Sequence, residues 1–415
     1  MRRTAPEGHG PVRYGPPLPD QGLPVLPELR SVLAAAADRS DTDLFGGGPA
    51  LLDAARGYWT RRGLPAAPDR VVAAPGAPAL LLALTGALGG DVLAPRPCAA
   101  WWAPQARLLG RTVFHVATPA ECGGVPDPYA LLETVRRVRA EGGDPRLLLL
   151  SVADDPTATV APPEVVHEIV EVAAGEGLHI VSDETWRDTL HRPHDTVLLS
   201  PAEMLPDDVT VLTDLAGAFL PQGWPAAVAR FPDNDAGALL RSRVLDVLTV
   251  LGARVAEPVA AAAAYALGEP TAVTERLTAA VRLHARVADA AQRAVGAAGA
   301  VVRPPQAGRH LYVDLGPLRS ALGAHGVGDA QDLEDYLSAR LGMPAPGGHR
   351  FGDDLAALRV RLGTGALLGS TDEEREESLA SPSPLELPHV HGALTRLGSA
   401  FGDLHDDAQR RESPR

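Results

Sequence analysis

The chain has 415 residues, 45% hydrophobic and 22% charged, which is enough for one large or two medium domains and too apolar for a disordered polymer. A formal charge of −14 excludes the basic stripe that a nucleic-acid binder uses to replace counterions. All 38 basic residues are arginine, so the sequence contains no lysine. The two arginines after Met1 have no apolar stretch behind them, and the alanine-rich run Pro258 to Leu267 is too short to span a bilayer. No signal peptide and no membrane association are therefore expected. Two cysteines, Cys98 and Cys122, give neither a disulfide framework nor zinc spacing, which makes a cytoplasmic location the default expectation.

Residues 1 to 45 are proline-rich and weakly periodic and read as an arm lying across another part of the fold. Strands and helices then alternate. Asp53 to Arg62 reads as a helix, Val71 to Ala74 as a strand, Pro78 to Leu88 as a helix and Asp91 to Ala94 as a strand. Ala100 to Leu109, Pro128 to Arg139 and Pro163 to Ala174 are helical. They are followed by strands at Thr112 to Val116, Arg146 to Val152 and His179 to Ser182. Two more strands are predicted at Val209 to Leu215 and Ala226 to Arg230. Alternation at this spacing predicts an α/β fold with a mostly parallel sheet covered on both faces.

After Pro232 the chain reads as long helices, broken at Glu257-Pro258, that connect to a smaller α+β domain with strands near His310 to Leu315 and Ala357 to Leu362. Thr371 to Leu387, with the acidic run Asp372 to Glu377 and then Ser381-Pro382-Ser383-Pro384, reads as a solvated helix end and loop. The expected division is an arm (1–45), a large domain (46–245), a connecting helix (246–270), a small domain (271–403) and a frayed tail (404–415).

Six segments then stand in a telling order. Phe45-Gly46-Gly47-Gly48-Pro49 leads into Leu52 to Ala55, Tyr58 and Arg62-Gly63; Gly76-Ala77-Pro78 follows the first strand. Asp155-Pro156-Thr157-Ala158, Val181 to Trp186 and Leu215 to Trp224 come next, with Pro346-Gly347 and Phe351-Gly352 near the end. From about Leu44 to about Leu397 this order resembles the class I/II aminotransferases, the pyridoxal-phosphate (PLP) family of fold type I. The resemblance implies a large PLP-transferase-like domain, a small domain, PLP as cofactor and an active site at a dimer interface.

It also implies site residues. The family holds the cofactor's aldehyde on a lysine amine, and alignment places Gly217 at that lysine, leaving no catalytic residue to assign. Arginine cannot substitute, because its guanidinium stays protonated and has no free lone pair. The family's phosphate-binding serine and arginine correspond to Asp214 and Pro225, its phosphate tyrosine to Phe45 and its ring-stacking aromatic to Ala99. Gly76 and Ala77 could still offer backbone N–H groups at a helix N-terminus, whereas Pro78 has none to give.

Asp183 matches the aspartate that protonates the pyridine nitrogen, Asp155 the asparagine beside the phenolic oxygen, and Trp186 the tyrosine at the same oxygen. Arg361 matches the arginine that grips a substrate carboxylate, with Arg359 two residues away leaving the register open. Each has a structural alternative: a strand-end cap for Asp183, packing for Trp186, a structural arginine for Arg361. His191, His194, His389 and His391 read as scattered surface histidines rather than metal ligands.

The function expected is that of an aminotransferase-like protein inactive as a transaminase. It would serve as a binding, regulatory or partner subunit, homodimeric or paired with an active paralogue, and take a small carboxylate ligand. The alternatives are an enzyme holding PLP or pyridoxamine phosphate (PMP) non-covalently and, behind it, an ordinary amino acid transaminase.

Overall fold

Leu147-Leu148-Leu149-Leu150 is apolar and buried at four consecutive positions, as a strand covered on both faces should be. It lies inside a seven-stranded sheet in the computed structural model, which describes residues 11–19, 21–38 and 44–412. The strands are β1 (Val71–Ala74), β2 (Asp91–Arg96), β3 (Val113–Ala117), β4 (Pro145–Ser151), β5 (His179–Asp183), β6 (Val209–Asp214) and β7 (Ala227–Arg230). Their spatial order is β1-β7-β6-β5-β4-β2-β3. β2 to β6 pair in parallel, and β7 runs antiparallel to both β6 and β1.

Helices α1 (Pro27–Ala36) and α2 (Pro49–Arg61) precede the sheet. α3 (Ala77–Leu88), α4 (Trp102–Leu108), α5 (Pro128–Ala140), α6 (Pro163–Gly175) and α7 (Pro201–Met204) alternate with its strands. α2, α5 and α6 each open on proline, whose fixed φ suits a first helical position and whose missing N–H has no role there. α3 is apolar almost throughout, because the sheet covers one side of it and α8 (Asp235–Val250) another. One core lies on each face of the sheet.

Glu257-Pro258 does not interrupt a helix but starts a new one, α9 (Glu257–Leu267), which packs on α1 and α2. The connector is therefore not residues 246–270. It is α10 (Thr271–Ala297), whose Val273 joins a large-domain core while Leu283, Val287, Ala291 and Val295, spaced by four, join the small-domain core.

In the small domain β8 (Val301–Val302), β9 (His310–Asp314) and β10 (Arg359–Gly363) form an antiparallel sheet in the order β10-β9-β8. Around it stand α11 (Arg319–Ala324), α12 (Ala330–Leu341), α13 (Asp372–Ala380) and α14 (Pro388–Glu412). The stretch expected as a solvated helix end and loop holds α13 and then non-helical residues 381–383: Thr371 and Glu374 form a capping box, and three carboxylates sit in the first turn where the helix dipole favours them.

The tail expected to fray from residue 404 instead continues α14, with Leu404 and Ala408 buried in the core; residues 413–415 lie outside the described residues. The arm also differs from expectation, since it carries α1. Among the described residues, no helix is long and apolar enough to cross a membrane, and no cluster of His, Cys, Asp or Glu could hold a metal ion.

Candidate functional site

Parallel strands deliver their last residues to one edge, and the crevice beyond that edge is where such sheets bind ligands. Here the edge is acidic. Asp183 ends β5 and Asp214 ends β6, while the loop after β4 supplies Asp155. Across from them, β9 and β10 of the small domain contribute His310 and Arg361, joined by Arg309. A cavity of about 360 Å³ lies between the two walls, with Pro16 and Leu18 of the arm at its border. The arm is tethered beside it: Arg350 donates to the Gly15 carbonyl at 2.6 Å and Arg13 N–H donates to Gln331 Oε1 at 3.1 Å.

Gly76, Ala77, Asp155, Asp183, Trp186, Arg361 and Gly217 all line this one cavity. Ala99 and Pro225 line it too, but Phe45 does not; its ring lies 4.8 Å from the Arg254 guanidinium instead.

Two backbone donors at the start of α3 are already engaged. Gly76, at φ 91° where only glycine is comfortable, gives its N–H to the Ala74 carbonyl at 2.8 Å. Ala77 N–H donates to Asp214 Oδ2 at 2.7 Å, and Ala216 N–H donates to Asp214 Oδ1 at 2.9 Å. Pro78 has no N–H. Burial raises the Asp214 carboxyl above the ordinary range, and those two N–H bonds limit the rise.

Asp183 is only 7% exposed and accepts the Thr185 N–H at 3.0 Å. Burial pushes its carboxyl up to about 7; the Thr185 bonds oppose the shift, while Asp214 and Asp155 add to it. Asp155 goes the other way. Burial raises it, but the Arg361 guanidinium and His310 outweigh that effect and hold it below the usual range.

Arg361 is 9% exposed and donates from Nη1 to Asp155 Oδ1 at 2.8 Å. Arg359, the other arginine in that register, does not line the cavity and pairs with Asp314 at 2.9 Å and Asp353 at 3.1 Å. Trp186 packs edge-on against the His310 ring with centroids 5.4 Å apart.

Arg309 and His310 were not singled out from sequence. A predicted strand start at His310 was visible, but its facing the large domain depends on how the two domains meet. Arg309 donates to the Gly217 carbonyl at 2.5 Å, and His310, 1% exposed, lies 3.5 Å from Asp155. His191 is half-buried, with its ring nitrogens 3.1 Å from the Pro305 and Gly308 carbonyls; His389 contacts Ser378 Oγ at 2.8 Å.

Gly217 has no room for a side chain. A Cβ there would stand 2.7 Å from Thr185 Cγ2 and 2.9 Å from the Thr185 carbonyl oxygen.

These observations test the cofactor that the resemblance implies. PLP needs an amine for its aldehyde and donors for its phosphate. The sequence supplies no lysine, the aligned position is sterically closed, and the α3 N-terminus meets a carboxylate. The residues do not fit covalently bound PLP.

A family profile described as "Aminotransferase class I and II" matches residues 17–352. The chain belongs to the class I and II aminotransferase family. It is 26% identical over 226 residues to an aspartate/prephenate aminotransferase of Thermus thermophilus, covering 54% of this chain and 49% of that protein. A bifunctional aspartate and glutamate/aspartate-prephenate aminotransferase of Petunia hybrida is 23% identical over 299 residues, 70% of this chain and 60% of the relative. In the first of these matches the chain spans about half of the relative's length.

Among solved structures, Thermus thermophilus aspartate aminotransferase with maleate superposes with a TM-score of 0.71 at 20% identity, covering 94% of this chain and 90% of that one. The aromatic aminotransferase of Pyrococcus horikoshii gives 0.73 at 18% identity, with 94% of each chain covered. Both similarities establish the α/β fold with its mostly parallel central sheet.

Proposed function

We propose that this chain does not transaminate, and that it acts by binding a small molecule in the cavity between its domains. Its role is that of a sensor or of the inactive subunit beside a catalytic partner, as a homodimer or a heterodimer. The observation that carries the reading is the closed Gly217 position in a chain without lysine. The relatives are named as aspartate and prephenate aminotransferases. An ordinary transaminase of that kind needs an amine at the cofactor, and guanidinium groups do not provide one.

The test is turnover. Purified chain given PLP, an amino acid and a 2-oxo acid should transfer amino groups no faster than a protein-free control. A saturable rate proportional to chain concentration would overturn the proposal.

A second reading is altered chemistry on PMP or PLP held without a covalent bond. His310 supports it, as a buried imidazole on the cavity wall beside Asp155. It requires PMP to bind by calorimetry and Asp183→Ala to abolish that binding; an undetectable heat with the unaltered chain rules it out.

A further inference from the structure

The start of α3 determines what the inner end of the cavity accepts. A helix N-terminus attracts anions, because its first N–H groups lack intrahelical partners and its peptide dipoles point there. In this chain an anion is already present. The Asp214 side chain reaches from the end of β6 to the first N–H of α3; one oxygen accepts the Ala77 N–H and the other the Ala216 N–H of the turn after β6. A Cβ on Gly76 would stand 3.6 Å from Oδ2, an ordinary contact distance, so the carboxylate lies against the turn that opens α3. Pro225 on the same wall adds no charge, and the next ionisable group there is another acid, Asp183. The cationic groups, Arg309 and Arg361, lie on the opposite wall, facing the Gly217 carbonyl and Asp155.

We propose that Asp214 is a built-in anion that fills the N-terminus of α3 and sets the ligand class of the cavity, admitting small molecules that bring no phosphate to that end. This rests on the binding reading above and adds a specificity residue to it. A phosphate placed there would meet a carboxylate that already holds the Ala77 N–H, and like charges at that distance oppose ionisation of both. The carboxylate also gives the helix the counter-charge that a bound phosphate would otherwise supply.

The experiment uses the full chain and inorganic phosphate, read by thermal denaturation against chloride of equal ionic strength. The unaltered chain should melt at the same temperature in both. Asp214→Ser and Asp214→Ala should melt lower and be raised saturably by phosphate, as a ligand that binds the folded state raises stability. Asp214→Asn, which keeps the side chain's size and an acceptor for Ala77, covers the case in which the smaller residues unfold. It should bind phosphate roughly tenfold more tightly than the unaltered chain, the factor that about 1.4 kcal/mol of removed repulsion gives.

Pyridoxamine and its 5′-phosphate differ only in the phosphate. The unaltered chain should not prefer the phosphate form, and Asp214→Ser should. Phosphate binding by the unaltered chain equal to that of the serine variant, or no gain in any Asp214 variant, would overturn the inference. Failure of the binding reading would appear separately, as amino-group turnover with the phosphate results unchanged.

Discussion

Arg361 on β10 of the small domain donates to Asp155 in the large domain at 2.8 Å, so the arginine matched to substrate-carboxylate binding is neutralised within the chain itself. The pair bridges the two walls of the cavity. Removing one member leaves a largely buried charge uncompensated, which is the costly case for buried ion pairs. Arg361→Ala should lower stability by about 2–4 kcal/mol in urea unfolding. A double-mutant cycle with Asp155→Asn should return a coupling of about 1–3 kcal/mol. Because Asp155 is held below the usual carboxylate range, this stabilisation is present above the unfolded-state value and is lost as the solution is acidified.

Asp183 titrates in the opposite sense. Its carboxyl is raised from 3.8 to about 7, so between those values the folded chain binds a proton that the unfolded chain has released. Its contribution to stability therefore falls as pH rises through that window. Asp183→Asn should remove this slope and leave the chain about 1–3 kcal/mol more stable than the unaltered protein at pH 8. Denaturant midpoints measured from pH 5 to pH 8 check both statements.

Gly217 should resist substitution. An added Cβ falls 2.9 Å from the Thr185 carbonyl oxygen, which is backbone and cannot swing aside. Gly217→Ala should cost about 1–3 kcal/mol, the usual penalty of overpacking, measured by chemical denaturation. A lysine introduced at the same position meets the same obstruction.

Away from the cavity, Tyr58 is fully buried on α2 and its hydroxyl donates to Asp188 Oδ2 at 2.7 Å, while Arg62 donates to Oδ1 of the same carboxylate at 2.6 Å. Tyr58→Phe leaves the carboxylate one donor short. It should destabilise the chain by about 1.5–3 kcal/mol in urea unfolding, as expected for a hydrogen bond to a charged group.

The fold was legible because its main signals are local. Apolar runs such as Leu147 to Leu150, and prolines at helix starts, mark elements without reference to distant residues. Misread segments were those in which tertiary packing decides. α14 reaches beyond residue 404 because Leu404 and Ala408 find a core, and α10 rather than residues 246–270 spans the domains because of where its apolar face lands. At the site, the identities of Asp183, Asp214 and Gly217 were readable from an ordered set of motifs. That Asp214 turns toward Ala77, that Arg361 is spent on Asp155 and that His310 faces the cavity are consequences of two domains meeting, and no spacing in the sequence encodes them.

The most direct measurement of the central claim is borohydride reduction of the purified chain with PLP, followed by intact-mass analysis and peptide mapping. No pyridoxyl group should be attached within the cavity, and the protein should not turn yellow before reduction. A one-to-one pyridoxyl adduct that survives unfolding would contradict that claim.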